Sequence, residues 1–329
     1  MKKYELTEET VTVYGKTLYR IRAVRDFGSV KTGEFGGYIE KEENLSHFGN
    51  AWISGDAWVY GNARVFGNAW VYGEVQVAGN AWVYGNAKVY GDARVSGDAR
   101  VFDNAKVYGD ARVYGNAKVY GDARVSGDAR VFDNAKVYGD ARVSGDAWVY
   151  GDARVSGDAR VFDNAKVYGD ARVSGDAWVY GNAWVYGEVQ VAGNAWVYGN
   201  AKVYGDARVS GDARVFDNAK VYGDARVSGD AWVYGNAWVY GNAWVYGNAE
   251  VFNTRHFFVQ GPIGSRDGYV TFYRTKDDTI GVRCGCFSGS LQKFVDRVEE
   301  THGGSRYEKE YKIAAELAKV CIRLEGESR

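Results

Sequence analysis

Between Gly49 and Phe252 the apolar residues keep one rhythm, two apart and then four apart, as in Ala93, Val95, Ala99 and Val101. Residues two apart on an extended chain point to the same side, so Ala and Val face inward and the residue between them faces out. The full unit is Gly-(Asn/Asp)-Ala-x-Val-(Tyr/Phe/Ser), and the 204 residues hold 34 units without insertion or deletion. A glycine in nearly every unit, beside Val and Tyr, excludes helix and predicts short strands separated by corners. Gly takes positive φ freely, and Asp tolerates it well enough to open the four units that begin at Asp103, Asp133, Asp163 and Asp217.

Three units make one triangular coil of 18 residues, which predicts a parallel β-helix of about eleven coils, about 54 Å long. One Val and one Ala per unit make a thin core. Hydrogen bonds between coils and ladders of outer side chains must supply the rest of the cohesion.

The flanks read differently. Val11–Tyr14 and Leu18–Arg22 alternate as strands around a turn at Gly15–Lys16, a hairpin that covers the open end of the coils or serves in recognition. Ile39 and Leu45 lie twelve and six residues before Ala51, which places them in the inward Ala phase of a first, imperfect coil beginning near Gly37. After the repeat, Tyr269–Arg274 and Ile280–Phe287 read as strands with a turn at Lys276–Thr279. Ser290 caps a helix over Leu291–Thr301 with Leu291, Phe294, Val295 and Val298 on one stripe, ended by Gly303–Gly304. A second helix over Tyr307–Leu324 carries Ile313, Leu317, Cys321 and Leu324 on one face. The expected fold class is therefore mainly β: a hairpin and capping coil over 1–48, a β-helix over 49–252, and a small α+β (ββαα) domain over 253–329.

Composition changes this picture little. A net charge of −1 over 329 residues gives no general attraction to nucleic acid or to membrane surfaces. No stretch reaches 18 apolar residues, Met1-Lys2-Lys3 is followed by no apolar run, and three cysteines show no disulfide pattern. A reducing, cytoplasmic location in a bacterial cell is expected.

The outward positions are where chemistry can be sought. All 11 Trp lie there, together with 20 Lys or Arg and with Gln76, Gln190 and Glu250. Trp178, Trp196 and Trp232 fall on one face with Arg214 and are candidate ligand-binding residues for a base or sugar. Against that stands a structural reading. Twelve of thirteen repeat arginines follow an Asp two residues earlier, as Arg94 follows Asp92, which predicts a ladder of local ion pairs stacked with aromatics; Arg64 follows Asn62 instead. The block Tyr90–Val107 recurs from Tyr120, Tyr150 and Tyr204. Its spacings of 30 and 54 place identical pieces on different faces, which suits a spacer or distributed surface better than a catalytic constellation.

In the C-terminal domain Gly264, Ser265 and Arg266 sit in a turn-rich loop that is either an anion site or a connector. Cys284 and Cys286 are expected as buried core thiols on one strand face, or with His302 as a partial metal site. No cofactor motif is present.

The Val-x-Gly-(Asn/Asp)-Ala-x pattern over residues 49–252 resembles the left-handed parallel β-helix of hexapeptide-repeat acyltransferases. The segment Leu18–Ile39 is similar to the opening of uncharacterised hexapeptide-repeat proteins of bacteria and tailed phages, and Gly261–Arg266 with Cys284-Gly-Cys and Glu299–Gly303 resembles a small domain attached to such proteins in prophages. The resemblance implies left-handed coils and, for the enzymes, a histidine base with an acyl-CoA site built on loops. No histidine lies between His47 and His256, and no loop interrupts the units. The reading is a non-enzymatic, elongated binding or assembly protein of phage or prophage origin, a homo-oligomeric dimer or trimer without membrane or nucleic-acid partners, meeting a host protein or a small phosphorylated ligand. Capture of a nucleotide and acyl transfer are the alternatives.

Overall fold

A computed structural model describes residues 1–324, and the chain forms two compact units, Met1–Asp170 and the residues from Ala171 on. Both are built of parallel β-solenoid coils with an 18-residue spacing, about twelve turns in all.

In the first unit the outward and inward residues stack in register. Trp70, Lys88, Lys106 and Arg124 form one column, Trp82, Arg100, Lys118 and Lys136 a second, and Gln76, Arg94, Arg112 and Arg130 a third. Most strands are only two residues long, the outward residue and its Val, because the Gly-(Asn/Asp) pair that follows turns the chain. The inward Ala and Val of every coil are fully buried. Backbone bonds between coils bind the stack, as where Lys88 N–H donates to Ala105 O at 2.9 Å. The corner backbone is left-handed, with φ +68° at Gly109 and +58° at Asp103, so aspartate does replace glycine there. A Cβ on Gly109 would stand 3.0 Å from the Gly127 nitrogen one coil on.

The N-terminal hairpin pairs Tyr4–Val13 with Lys16–Ala23. Its turn is Tyr14–Gly15, both at positive φ, one residue earlier than the sequence suggests. Lys16–Ala23 then pairs with Phe35–Ile39, which runs parallel to Trp58–Val59, so the hairpin continues one face of the solenoid and occupies its edge. Ile39 pairs with Val59 and Leu45 bridges Val65. The two large side chains therefore take the Val seat rather than the Ala seat. Two extra residues between Leu45 and Ile53 restore the phase, since Ile53 already pairs with Val71 at the regular spacing.

In the second unit the coils continue the same pattern, with Trp178, Trp196, Arg214, Trp232 and Glu250 in one column. The chain then enters a four-stranded antiparallel sheet of Phe257–Ile263, Gly268–Arg274, Ile280–Cys284 and Phe287–Ser290, followed by helices Leu291–His302 and Arg306–Cys321. The sheet has two strands more than the ββαα expectation. Gly261 and Pro262 hide Phe257–Ile263 as a strand in the sequence; the strand accommodates Pro because it lies at the sheet edge. Ile280–Phe287 is two strands because Gly285–Cys286 is a tight turn, with Gly285 at φ +55°. Val270, Phe272 and Val282 face the helices, where Phe294, Val298, Ala314, Ala315 and Ala318 complete the core.

The second helix buries only part of the stripe expected of it: Leu324 packs against the core and Cys321 is half-buried, but Ile313 and Leu317 stand outside, beside Val320. Ile313 is 68% exposed, Leu317 43% and Val320 81%, while Tyr311, Ala314, Ala315 and Ala318 face inward. Side-chain size decides this: small alanines let the helix lie close against the sheet, and the bulky aliphatics are left outside.

Candidate functional site

The residue after each Val stands at a corner, and where it is aromatic the rings stack coil upon coil. Phe66, Tyr84, Phe102 and Tyr120 lie 4.8–4.9 Å apart between neighbours and nearly parallel. Tyr72, Tyr90 and Tyr108 do the same, as do Tyr198, Phe216 and Tyr234 in the second unit. The rings cover one another and are half-buried, which raises the hydroxyl pKa of Tyr72 and Tyr90. The corner carboxamides form ladders too: Asn62 donates to Asn80 at 3.1 Å, and Asn80 to Asp98 at 3.0 Å.

These ladders change the reading of the basic residues. Arg94, Arg100, Arg112 and Arg124 each follow an Asp by two, yet none has a carboxylate within ion-pair distance among the described residues. The Asp lies at the corner and the Arg on the flat strand, so the two side chains do not share a side. Corner aspartates serve their own column instead, as Asp103 does in accepting the Gly121 N–H at 3.2 Å. Several of the cations lie on indoles instead: Arg100 is 5.1 Å from the Trp82 ring, and Trp148 is held between Arg130 at 4.9 Å and Lys166 at 5.0 Å.

Trp178, Trp196 and Trp232 belong to the same kind of stack. Trp178 and Trp196 are 5.2 Å apart and 9° from parallel. Arg214 lies between Trp196 at 4.9 Å and Trp232 at 5.1 Å, and Lys276 of the C-terminal domain lies 4.3 Å from Trp232. Each ring already has a stacking partner, so a ligand must compete with the column for these faces.

The other candidates gather around a residue the sequence did not single out, Tyr311. A Cβ on Gly264 would stand 1.9 Å from its hydroxyl oxygen, His302 is 5.6 Å from its ring, and Cys284 adjoins it. Burial, and then Cys284, pushes the Tyr311 pKa up to about 12. The Gly264 N–H is taken by Glu310 at 2.7 Å, a carboxylate that occupies the loop amide an anion would use; Ser265 and Arg266 are exposed. Cys284 is half-buried and its thiol pKa is raised by burial, but Cys286 is exposed in the turn, so the two do not share a buried strand face. Among the described residues no group of three or more His, Cys, Asp or Glu is placed to hold a metal ion. No helix of the described residues is long and apolar enough to cross a membrane.

The polar face of the C-terminal sheet meets the last coils. Thr271 Oγ1 accepts the Trp244 N–H at 2.8 Å, Lys276 N–H donates to Asn248 O at 3.0 Å, and Ala249 bridges Thr275. Arg283 lies 3.8 Å from the Trp244 ring. Arg274 is 3% exposed and donates to Glu250 and Asp278, each at 2.8 Å. Burial opposes its charge, and the two carboxylates outweigh burial and hold its pKa above the ordinary arginine value. Burial, with Arg274 second, lowers the pKa of the neighbouring His256 to about 4.

A family model described as the YdcK beta solenoid repeat matches residues 57–73, 87–133, 135–151, 153–181, 201–217 and 219–247, together just under half of the chain. No curated protein matches it significantly. The repeat, the 18-residue register and this match agree, and the chain is a β-solenoid repeat protein.

Proposed function

We propose that this chain is a non-enzymatic binding and assembly protein that pairs with a second copy of itself through its last helix. The observation that carries the proposal is the exposed apolar stripe of Ile313, Leu317 and Val320. Residues three and four apart line one helix face, the spacing by which helices dock on one another. Buried Ala and Val fill the coils, so ligands and partners meet the outside.

The charges around the stripe favour a twofold, antiparallel pair. With Leu317 near the centre, Ile313 opposes Val320 of the second copy, and Glu316 opposes Lys319. Within one chain Lys319 and Glu316 are already paired at 2.6 Å on the exposed surface, so exchanging the pair between copies costs little. One helix pair buries less than the roughly 1,000 Å² of a stable interface, which places the association in a weak, concentration-dependent range.

Sedimentation velocity over a concentration series tests this. A dimer that grows with concentration, and disappears in Ile313→Asp/Val320→Asp with unchanged circular dichroism, supports it. A monomer throughout the series, or a dimer indifferent to the two aspartates, removes it.

A further inference from the structure

We propose that the irregular first coil holds a site for a small anionic sugar, with Arg64 binding the anion and Trp82 carrying the ring. Two adjoining cavities of about 400 and 340 Å³ open there and share Glu43, Arg64 and Trp82. That is the size of a small-molecule site. They arise where the chain leaves the repeat: a short 3-10 turn, Glu42–Asn44, comes before Leu45, and two extra residues follow it.

Arg64 is the one repeat arginine without an Asp two residues before it. Among the described residues it also lacks an ion-pair or ring partner, and it is exposed. Trp82 is its register partner on the adjacent strand, so guanidinium and indole stand on the same side of the sheet, about 4.8 Å apart along the coil axis. The indole is held from its other neighbours, by Arg100 at 5.1 Å and by Phe66 edge-on at 5.9 Å. A fixed ring beside a free guanidinium is a prepared surface rather than a mobile side chain.

The rim selects the ligand class. A carboxylate or phosphate accepts two parallel N–H bonds from a guanidinium. The C–H face of a sugar ring covers an indole, and its hydroxyls need both donors and acceptors at the edge. Asn62 and Asn80 provide carboxamides, and exposed Glu43 provides acceptors. Lys41 and Arg64 against Glu43 leave the cleft net positive, which favours an anionic sugar over a neutral one. A bare phosphate would leave Trp82 and the carboxamides unused.

Isothermal titration with glucuronate, glucose 6-phosphate, glucose and inorganic phosphate tests the assignment. Expected are binding of the two anionic sugars, at least about tenfold weaker binding of glucose and of phosphate, and at least about tenfold loss in Arg64→Gln. Arg124→Gln is the control for removing a repeat arginine elsewhere, and circular dichroism checks that both variants keep their strands. No heat from either anionic sugar at about 10 mM, unchanged affinity in Arg64→Gln, or phosphate binding as tightly as the sugars would overturn the proposal.

Discussion

Glu250 accepts a 2.8 Å hydrogen bond from the buried guanidinium of Arg274, and the Tyr234 hydroxyl donates to its other oxygen at 3.0 Å. Glu250 is the one acidic residue among the outward positions of the repeat, and this pair accounts for it: it fastens the C-terminal sheet to the last coil. Removing one member of a buried pair strands the other, at a cost of about 3–5 kcal/mol. Arg274→Met should therefore destabilise the second unit by about that amount. Hydrogen exchange should show loss of protection at Phe257–Arg274 first, while the coils before Asp170 keep theirs. Equal protection in variant and parent would show that the pair does not fasten the sheet.

The corner glycines differ in what an added methyl meets. Gly109 and Gly241 both have positive φ, but a Cβ at Gly109 meets the Gly127 nitrogen at 3.0 Å, whereas at Gly241 nothing lies within 4 Å. Gly241→Ala should cost about 1–2 kcal/mol for backbone strain alone, and Gly109→Ala more. Urea unfolding of the two variants measures the difference, and a smaller loss at Gly109 would contradict the stacking argument.

Arg214, between two indoles, and Arg124, between Lys106 and Arg142 in register, make a matched pair. Arg214→Gln should lose about 1–2 kcal/mol of cation–π attraction. Arg124→Gln should change stability by no more than about 0.5 kcal/mol, toward stabilisation, because it relieves like charges directly opposite. Equal losses in the two would mean that the columns are not held by stacking.

His256 gives the second unit a pH dependence. Its folded pKa of about 4 lies below the ordinary 6.5, so between these values the unfolded chain takes up a proton that the folded chain does not. Stability should fall as pH drops from 6.5 to about 4, by about 3 kcal/mol at most, and this contribution should be constant below that. Carboxylates titrate in the same window, so the measurement is the difference between parent and His256→Gln in melting temperature against pH. Parallel curves would refute the assignment.

The solenoid was legible because its information is local and repeated. Each unit states its own turn and its own inward pair, so coil length, register and the left-handed corners at Asp103 and its equivalents follow without knowledge of any distant contact. The same reasoning failed where the repeat stops. Counting back from Ala51 puts Ile39 and Leu45 in the Ala phase, but two residues of slack and their own size seat them with the Val residues. A two-residue spacing brings Asp and Arg to one side only along a strand, and the corner between them breaks that relation.

The repeating cross-section of this protein is written in each unit of the chain: Ala and Val inside, Gly or Asp turning the chain, rings and cations outside. Which outer groups satisfy one another depends on contacts between residues distant along the chain. Stacking brings together residues 18 apart, and docking of the C-terminal sheet joins Arg274 to Glu250. Packing against that sheet also chose the inner face of the last helix. There the apolar pattern offered two faces, and only the close approach of Ala314, Ala315 and Ala318 selected one, leaving Ile313, Leu317 and Val320 outside.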